Sequence, residues 1–507
     1  MPLSAIAFLI LSAAIAIIRS HYQVLWGDEF GFGLLGFDRS STLAKLIHVQ
    51  LTVPLSLDPI GYNVLMYSII RVFGTGEFVL RVPAIAGYLV MQICLFYFVR
   101  RIADERSATF ALAIPALAGT VGYSFLSRPY GLLPGLLMLA MLCWQTAARR
   151  DSQRTLALVG LAFCMAMAVN TQYYSLLFFI PLCAAESTRA LERRRLDIAM
   201  AVSILMGMTG LLIGLPFVKA LAPFRAFHTV RDGIDIHFVS HAYLWLVVGY
   251  VALSEHAQHL IGFVSALVLL MLLAGFVRFS SRLGLRLSHP ETVFIVLVCA
   301  FPFLVLFLAR FETHFAEARY VVPAVIGISA LLAILMTPLL QSQIFGRMFL
   351  AALFVVIAGA GVMHVRADKD RRQSMMALLV LSPATQTNLN QSPGQPIYTA
   401  NQSIFEFVHH YSPSADIRSR ITLVCPRPAD FQHGGGADVS RQMTNMVVNG
   451  LPNVAPYAAV YGHGTEHLFL QSGYKFEWPY RALADSNAAI KPVGQLFGTD
   501  IILARFP

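Results

Sequence analysis

The chain has 507 residues, 57% of them hydrophobic and only 13% charged, with a net charge of +10 and a mean hydropathy of +0.65. Soluble globular proteins carry roughly a quarter charged residues, so this composition is that of a polytopic membrane protein. The positive charge does not mark a nucleic-acid binder: the arginines fall in short clusters between apolar runs, the pattern of membrane topology, with no basic and aromatic face beside them.

In chain order, apolar runs long enough to span lie at roughly 3–19, 82–99, 107–125, 131–148, 155–170, 174–189, 198–218, 257–277, 292–309, 320–338 and 347–363. They predict a polytopic α-helical membrane protein of about eleven transmembrane helices. The first run lacks a basic leader and a small-residue cleavage site, so it reads as a retained span. Two further runs, roughly 60–73 and 238–254, are ambiguous, and the positive-inside rule arbitrates. With the N-terminus in the cytoplasm and both ambiguous runs lying as helices on the outer face, the arginine clusters all fall inside. They are Arg100, Arg101 and Arg106; Arg149, Arg150 and Arg154; Arg189 and Arg193 to Arg195; Arg278, Arg282 and Arg286; and Arg347.

This arrangement predicts a transmembrane domain of residues 1–363 with a first outer loop at 20–80 and a second at 219–256. Residues 364–507 then form an extracytoplasmic domain. Its stretch 382–396 is rich in Pro, Ser and Asn and reads as a linker. Runs at 396–399, 421–425 and 500–504 read as strands and 439–448 as a helix, which predicts a small α/β domain. The triple glycine at 434–436 lacks the strand and helix that frame a phosphate loop. Five cysteines lie inside apolar runs and only Cys425 in the C-terminal part, so that part forms no internal disulfide; no C-x2-C metal spacing occurs.

The chemistry-bearing residues gather at the predicted outer ends of the helices. Asp28 and Glu29 follow the first span almost at once; such a pair at a membrane rim can take a proton, hold a cation or orient a sugar, or be a solvated turn. Arg81 opens the second span, Ser127-Arg128-Pro129-Tyr130 follows the third, Asn170-Thr171-Gln172-Tyr173-Tyr174 follows the fifth, and His314 and Arg319-Tyr320 precede the tenth. Lys219, Arg225 and Arg231 are read as arginine and lysine side chains that snorkel to lipid headgroups. Arg128 and Arg319 differ: each abuts a helix end close to a Tyr, on the side the positive-inside rule disfavours. A guanidinium can hold a phosphate with two parallel hydrogen bonds, so these two point to a lipid-linked phosphate.

This pattern resembles the GT-C-fold glycosyltransferases, in the branch of the protein O-mannosyltransferases and lipid A aminoarabinose transferases. The resemblance rests on the acidic pair Asp28-Glu29, on Asp58-Pro59-Ile60-Gly61-Tyr62, and on Phe73-Gly74-Thr75-Gly76-Glu77 with Leu80-Arg81-Val82-Pro83. It continues in Arg128-Pro129-Tyr130-Gly131-Leu132, Thr171-Gln172-Tyr173 and Arg319-Tyr320-Val321-Val322-Pro323. Three positions depart from the pattern: Asp58-Pro59-Ile60 stands where His-Pro-Pro or Lys-Pro-Pro is usual, Phe30-Gly31 where an arginine follows the acidic pair, and Gln172 where a His is usual. The C-terminal domain matches no motif of the family.

The resemblance implies transfer of a sugar from a polyprenyl-phosphate donor to a lipid, glycan or protein acceptor outside the cytoplasm, with inversion. Asp28 would be the general base and Glu29 its support. Arg128, Arg319 and Arg81 would hold the donor phosphate, and Asp58, Tyr62, Tyr130, Gln172, Tyr173, Tyr320 and His314 would contact substrate. No metal or other cofactor is expected, and the expected location is a bacterial inner membrane. Two other classes stay open on the sequence: a lipid or solute transporter or flippase, which would carry repeat halves and helices interrupted near the midplane, and a non-catalytic envelope scaffold working through its outer domain.

Overall fold

A computed structural model describes residues 1–30, 42–54, 56, 58–149, 152–221, 236–248, 255–279, 285–313, 316–425, 446–447, 453–456, 459–460, 465–471, 483 and 487–507. The helices in chain order are α1 Leu3–Tyr22, α2 Leu43–Thr52, α3 Ile60–Phe73, α4 Glu77–Ile102, α5 Glu105–Leu117, α6 Pro129–Arg149 and α7 Arg154–Thr171. They continue as α8 Phe179–Arg193, α9 Ile198–Ala220, α10 Ile236–Val248, α11 Glu255–Phe279, α12 His289–Cys299, α13 Phe301–Leu308, α14 Ala324–Leu340 and α15 Gln343–Ala377.

Every predicted apolar run is occupied by helix, but the count of eleven crossings is not reached among the described residues. Seven helices are long and apolar enough to cross a membrane, or nine if two bent pairs each count as one span. The predicted run 107–125 is broken: α5 carries Pro115 near its end, and the chain turns by 80° into the 3₁₀ segment Gly119–Phe125. The run 292–309 bends by 53° between α12 and the helix that Pro302 opens. A proline removes one backbone donor and crowds the preceding turn, so hydropathy continues across a break that the backbone does not. Of the ambiguous runs, 60–73 is α3, whose 14 residues reach only about 21 Å, short of a bilayer core of roughly 30 Å. The other is α10 up to Val248, and 249–254 lie outside the described residues.

The arginine-rich loops are stapled together at one end of the bundle. Arg149 reaches Glu291 at 2.9 Å and the Arg101 carbonyl at 3.1 Å; Arg154 and Arg189 share Asp197 at 2.6 and 2.9 Å. Arg106 caps the end of α14 by donating to the carbonyls of Leu340, Gln341 and Ser342. The other end gathers the residues after α1, the start of α4, the segment before α6 and the chain around 317–320.

α4 and α6 cross in backbone contact. A Cβ on Gly135 would lie 2.3 Å from the Gly87 carbonyl oxygen, and one on Gly87 2.3 Å from the Leu132 Cα. Small residues at such a crossing let two backbones touch, the main source of helix association in lipid.

Beyond the bundle the structure departs from the predicted layout. α15 runs without interruption through residue 364, where a separate domain was expected to begin, and carries its polar half, Arg366 to Arg372, out of the apolar region. The predicted linker 382–396 is largely α16 Pro383–Asn390, capped by Ser382 and bonded to the sheet through Asn388 Nδ2 and the Val493 carbonyl, 2.7 Å. α17 Gln402–Tyr411 and α18 Ala415–Arg420 follow, with strands β1 Ile397–Thr399, β2 Ile421–Val424, β3 Val454–Ala455, β4 Glu466–Gln471, β5 Ala489–Leu496 and β6 Thr499–Arg505. The sheet order is β3-β2-β1-β4-β6-β5; β1 to β4 are parallel and β6 runs antiparallel to both β4 and β5. The three predicted strands are thus β1, β2 and β6. Of the predicted helix 439–448, only residues 446–447 are among the described ones.

This α/β part shares its core with the first outer loop. Val24, Leu25, Phe30, Leu46, Tyr62 and Met66 are buried in one cluster with Leu389, Ile397, Phe405, Phe407, Ile421 and Ile501.

Because the α4–α6 crossing has no room for a side chain, Gly135→Val should lower the yield and thermal midpoint of the purified protein. Overpacking costs roughly 1–3 kcal/mol or more. Gly275→Val, where nothing lies within 4 Å, should leave both near wild type. Equal behaviour of the two variants in a detergent melting assay would refute the tight crossing.

Candidate active site

The site begins where α1 ends. Gln23 leaves the helix in an extended conformation, and Gly27, at φ +52°, adopts a left-handed conformation that favours glycine and opens the one-turn helix Gly27–Glu29. Asp28 forms the middle of this turn; its side chain lies outside the described part of the structure. Glu29 points inward and is buried. Its Oε1 accepts the Ser127 N–H at 2.8 Å and faces Arg81 Nη2 at 3.5 Å. Burial raises the Glu29 carboxyl above the usual carboxylate range, outweighing the opposing pull of Arg81 and of the Ser127 and Trp26 amides.

Arg81 corrects the sequence reading. It is wholly buried, and its Nη1 donates to the carbonyls of Ser20 and Gln23, the latter at 2.7 Å. It is spent on the end of α1 and on Glu29, and it does not line the cavity that Arg128 and Arg319 share. Arg128 instead opens toward the cavity while its fork engages Asp58, Nη1 to Oδ2 at 3.1 Å and Nη2 to Oδ1 at 3.3 Å. The Ser56 hydroxyl and Asn63 fix the Asp58 backbone at the entry to α3. Arg319 forms the same kind of two-pronged pair with Glu317, at 2.8 and 2.9 Å.

Aromatic rings surround these cations. The Tyr130 ring lies 5.8 Å from the Arg128 guanidinium and 5.6 Å from that of Arg319, within cation–π range. Tyr320 stacks on Tyr174 with centroids 4.2 Å apart, and Tyr123 packs edge-on against Tyr130. Tyr62 is wholly buried beneath the site, within the electrostatic reach of Asp58, Arg128 and Glu29. The Tyr173 hydroxyl is buried without a hydrogen-bond partner among the described residues and senses Asp58. Gln172 caps α7 through its backbone and does not line the cavity. His314, Arg225 and Arg231 lie outside the described residues, and Lys219 sits in the last turn of α9.

A cavity of about 440 Å³ joins these groups. Glu29, Trp26, Tyr123, Arg128, Tyr130 and Arg319 line one side, and Asp368, Arg371 and Arg372 of α15 the other. The α15 residues were missed in the sequence, where they read as the start of a polar domain. Their signal was spacing: residues three and four apart on a helix share a face, and Asp368, Arg371 and Arg372 do so. Asp368 pairs with Arg19 at 2.7 Å, and Arg372 grips Glu77 with two bonds of 3.0 and 3.1 Å. Arg371 is exposed to the cavity and has no ion-pair partner among the described residues. Among those residues, no three His, Cys, Asp or Glu side chains gather as a metal site requires.

Comparison with known proteins bears on what such a site does. A family model described as dolichyl-phosphate-mannose-protein mannosyltransferase matches residues 58–218, less than half of the chain. No curated protein matches the sequence. The apo structure of ArnT from Cupriavidus metallidurans superposes over 98% of this chain and 97% of its own, with a TM-score of 0.59 at 12% identity. The same protein bound to undecaprenyl phosphate gives 0.56 over the same shares, also at 12% identity. The chain has the GT-C fold. The family match and this fold together indicate a membrane glycosyltransferase of the GT-C type that uses a lipid-phosphate sugar donor.

The buried Glu29 carboxyl yields a pH signature. In the unfolded chain it titrates near 4.5, and in the fold it keeps its proton to higher pH. Its contribution to stability is therefore fully present below 4.5 and is lost as pH rises through the folded value. Melting curves taken from pH 4.5 upward should show a decline that Glu29→Gln flattens; an identical pH profile in the variant would mean that the folded carboxyl is already ionised.

Proposed function

We propose that this GT-C glycosyltransferase transfers a sugar from a polyprenyl-phosphate donor to an oxygen of a lipid, glycan or protein acceptor on the extracytoplasmic side, inverting the anomeric centre. The observation that carries the proposal is the single cavity in which the acidic turn meets Arg128, Arg319 and Arg371. Undecaprenyl phosphate is the ligand of the ArnT structure that shares the fold; an isoprenoid phosphate of that class suits three guanidinium groups at a membrane-facing rim.

In this mechanism the acceptor hydroxyl attacks the anomeric carbon while Asp28 takes its proton. The bond from that carbon to the phosphate oxygen breaks, and the lipid phosphate leaves with the electron pair. Arg371, Arg128 and Arg319 stabilise the charge that develops on it. The arginines supply positive charge without a metal. Asp58 and Glu317 set the geometry of Arg128 and Arg319 rather than bind sugar themselves. Tyr130, Tyr320 and Tyr123 offer faces and edges for a sugar ring. Glu29 and Arg81 hold the acidic turn against Ser127, which is a positioning role for both.

Asp28→Asn should keep its place in the membrane and lose transfer by about 10²–10⁴-fold, the usual effect of removing a general base. Turnover close to wild type would move the base elsewhere. Arg128→Ala and Arg319→Ala should each cost about ten- to a hundredfold in transfer from a polyprenyl-phosphate sugar, with only partial recovery in Arg→Lys, because an ammonium lacks the planar fork. Full activity in both Lys variants would reduce these residues to headgroup contacts.

Orientation is tested separately. The arginine-rich loops stapled at the opposite end of the bundle favour a cytoplasmic face there. A C-terminal alkaline phosphatase fusion should be active in a bacterial host and a green fluorescent fusion dark; the reverse would place the site in the cytoplasm.

A further inference from the structure

The C-terminal domain touches the acidic turn directly. The buried Leu25 N–H donates to the Tyr411 hydroxyl at 2.8 Å. An amide buried this deeply has no water to turn to, so the phenol is its partner. Trp26 packs between Phe407 and Phe497, with ring centroids at 5.6 and 6.2 Å. Phe30, on the far side of Asp28 and Glu29, lies 5.7 Å from His410 and 6.3 Å from Tyr411. One helix, α17, thus grips both flanks of the acidic pair.

Tyr411 is itself fixed. Phe407 lies 4.7 Å from its ring, and the Arg372 guanidinium, locked by Glu77, lies 5.6 Å above it. The turn is therefore anchored twice: from the membrane side by Arg81 on the Gln23 carbonyl and Glu29, and from the domain side by Tyr411 on the Leu25 amide.

We propose that the C-terminal domain is part of the catalytic apparatus, and that Tyr411 is a positioning residue which sets the acidic turn through its bond to the Leu25 amide. The functional half of this inference rests on the glycosyl-transfer reading above; the structural half does not. Tyr411→Phe removes the bond to the Leu25 amide together with the oxygen's contact with Arg372, and keeps the ring against Phe30 and Phe407. Since Glu77 holds Arg372 by two bonds of its own, exchange at residues 24–30 reads the Leu25 bond. A displacement of about an ångström at a reacting group can cost as much as a hundredfold in rate, so a tenfold or larger loss of kcat is expected with donor KM unchanged.

The experiment pairs steady-state transfer with hydrogen exchange of the purified protein. In Tyr411→Phe, peptides covering residues 24–30 should exchange faster while α4 and α6 keep wild-type protection. Phe407→Leu, which takes a ring away from both Trp26 and Tyr411 but keeps the Tyr411 hydroxyl, should act in the same direction more weakly. Unchanged exchange at 24–30 would overturn the anchor. Faster exchange with unchanged kcat would overturn its catalytic importance. A joint loss of kcat, donor affinity and protection throughout the bundle would reduce Tyr411 to a general structural residue and likewise overturn the proposal. If the wild-type protein transfers nothing from a polyprenyl-phosphate sugar, the functional reading fails, while the exchange data still decide whether Tyr411 anchors the turn.

Discussion

A buried guanidinium organises this molecule. Arg81 has no exposed surface, and a cation taken fully out of water is tolerated only when its donors meet oxygen. Here Nη1 meets the carbonyls of Ser20 and Gln23, at the negative end of the α1 dipole, and Nη2 faces Glu29. Because Arg81 projects from α4, which crosses α6 in backbone contact, the end of α1 is tied to that crossing. The acidic turn sits beside that tie: Gly27 opens it four residues after Gln23, and Glu29 meets the Ser127 N–H just before α6 begins.

The same constraint explains the division of labour in the acidic pair. Glu29 sits against the clasp, away from water, with a carboxyl whose proton affinity is raised by burial. Such a group holds neighbours better than it exchanges protons with a solvent-borne acceptor. The arginines divide similarly. Arg81 is spent on main chain, Arg128 and Arg319 are braced by carboxylates, and Arg371 faces the cavity from a different part of the sequence. A cationic site built from the end of one span, the start of two others and the exit of the last requires the helices to be packed before it exists.

Much of the fold was legible because hydropathy reports where helices lie. The positions of the helices, the three strands and the gathering of the acidic turn with Arg128, Arg319, Tyr130 and Tyr320 all follow from residue type and order. What escaped depends on direction or partner. Composition does not show that Arg81 turns inward. Hydropathy carries the run 107–125 through Pro115, where the backbone bends. It ends the last span at residue 363 because the residues become polar, although a helix needs no apolar residues to continue once it leaves the bilayer. That error hid Asp368, Arg371 and Arg372. It also made the C-terminal part look like a separate unit, whereas its core is continuous with that of the first outer loop.

The unbroken helix α15 sets a height. Its 35 residues rise about 52 Å at roughly 1.5 Å per residue, against a hydrocarbon core of roughly 30 Å. Its apolar stretch ends at Met363, so an upright α15 carries Arg371 about 12 Å beyond the edge of the hydrocarbon. The headgroup layer on each side is only about 5–7 Å deep. A phosphate attached to a lipid tail would then have to be lifted clear of its neighbours' headgroups to meet Arg371, drawing the first isoprenoid units out of oil and along the protein wall. Tilting the helix lowers that lift, and a thicker bilayer shortens it. Membrane thickness and helix tilt thereby enter the energetics of donor loading, so the same chain would read its lipid differently in membranes of different composition.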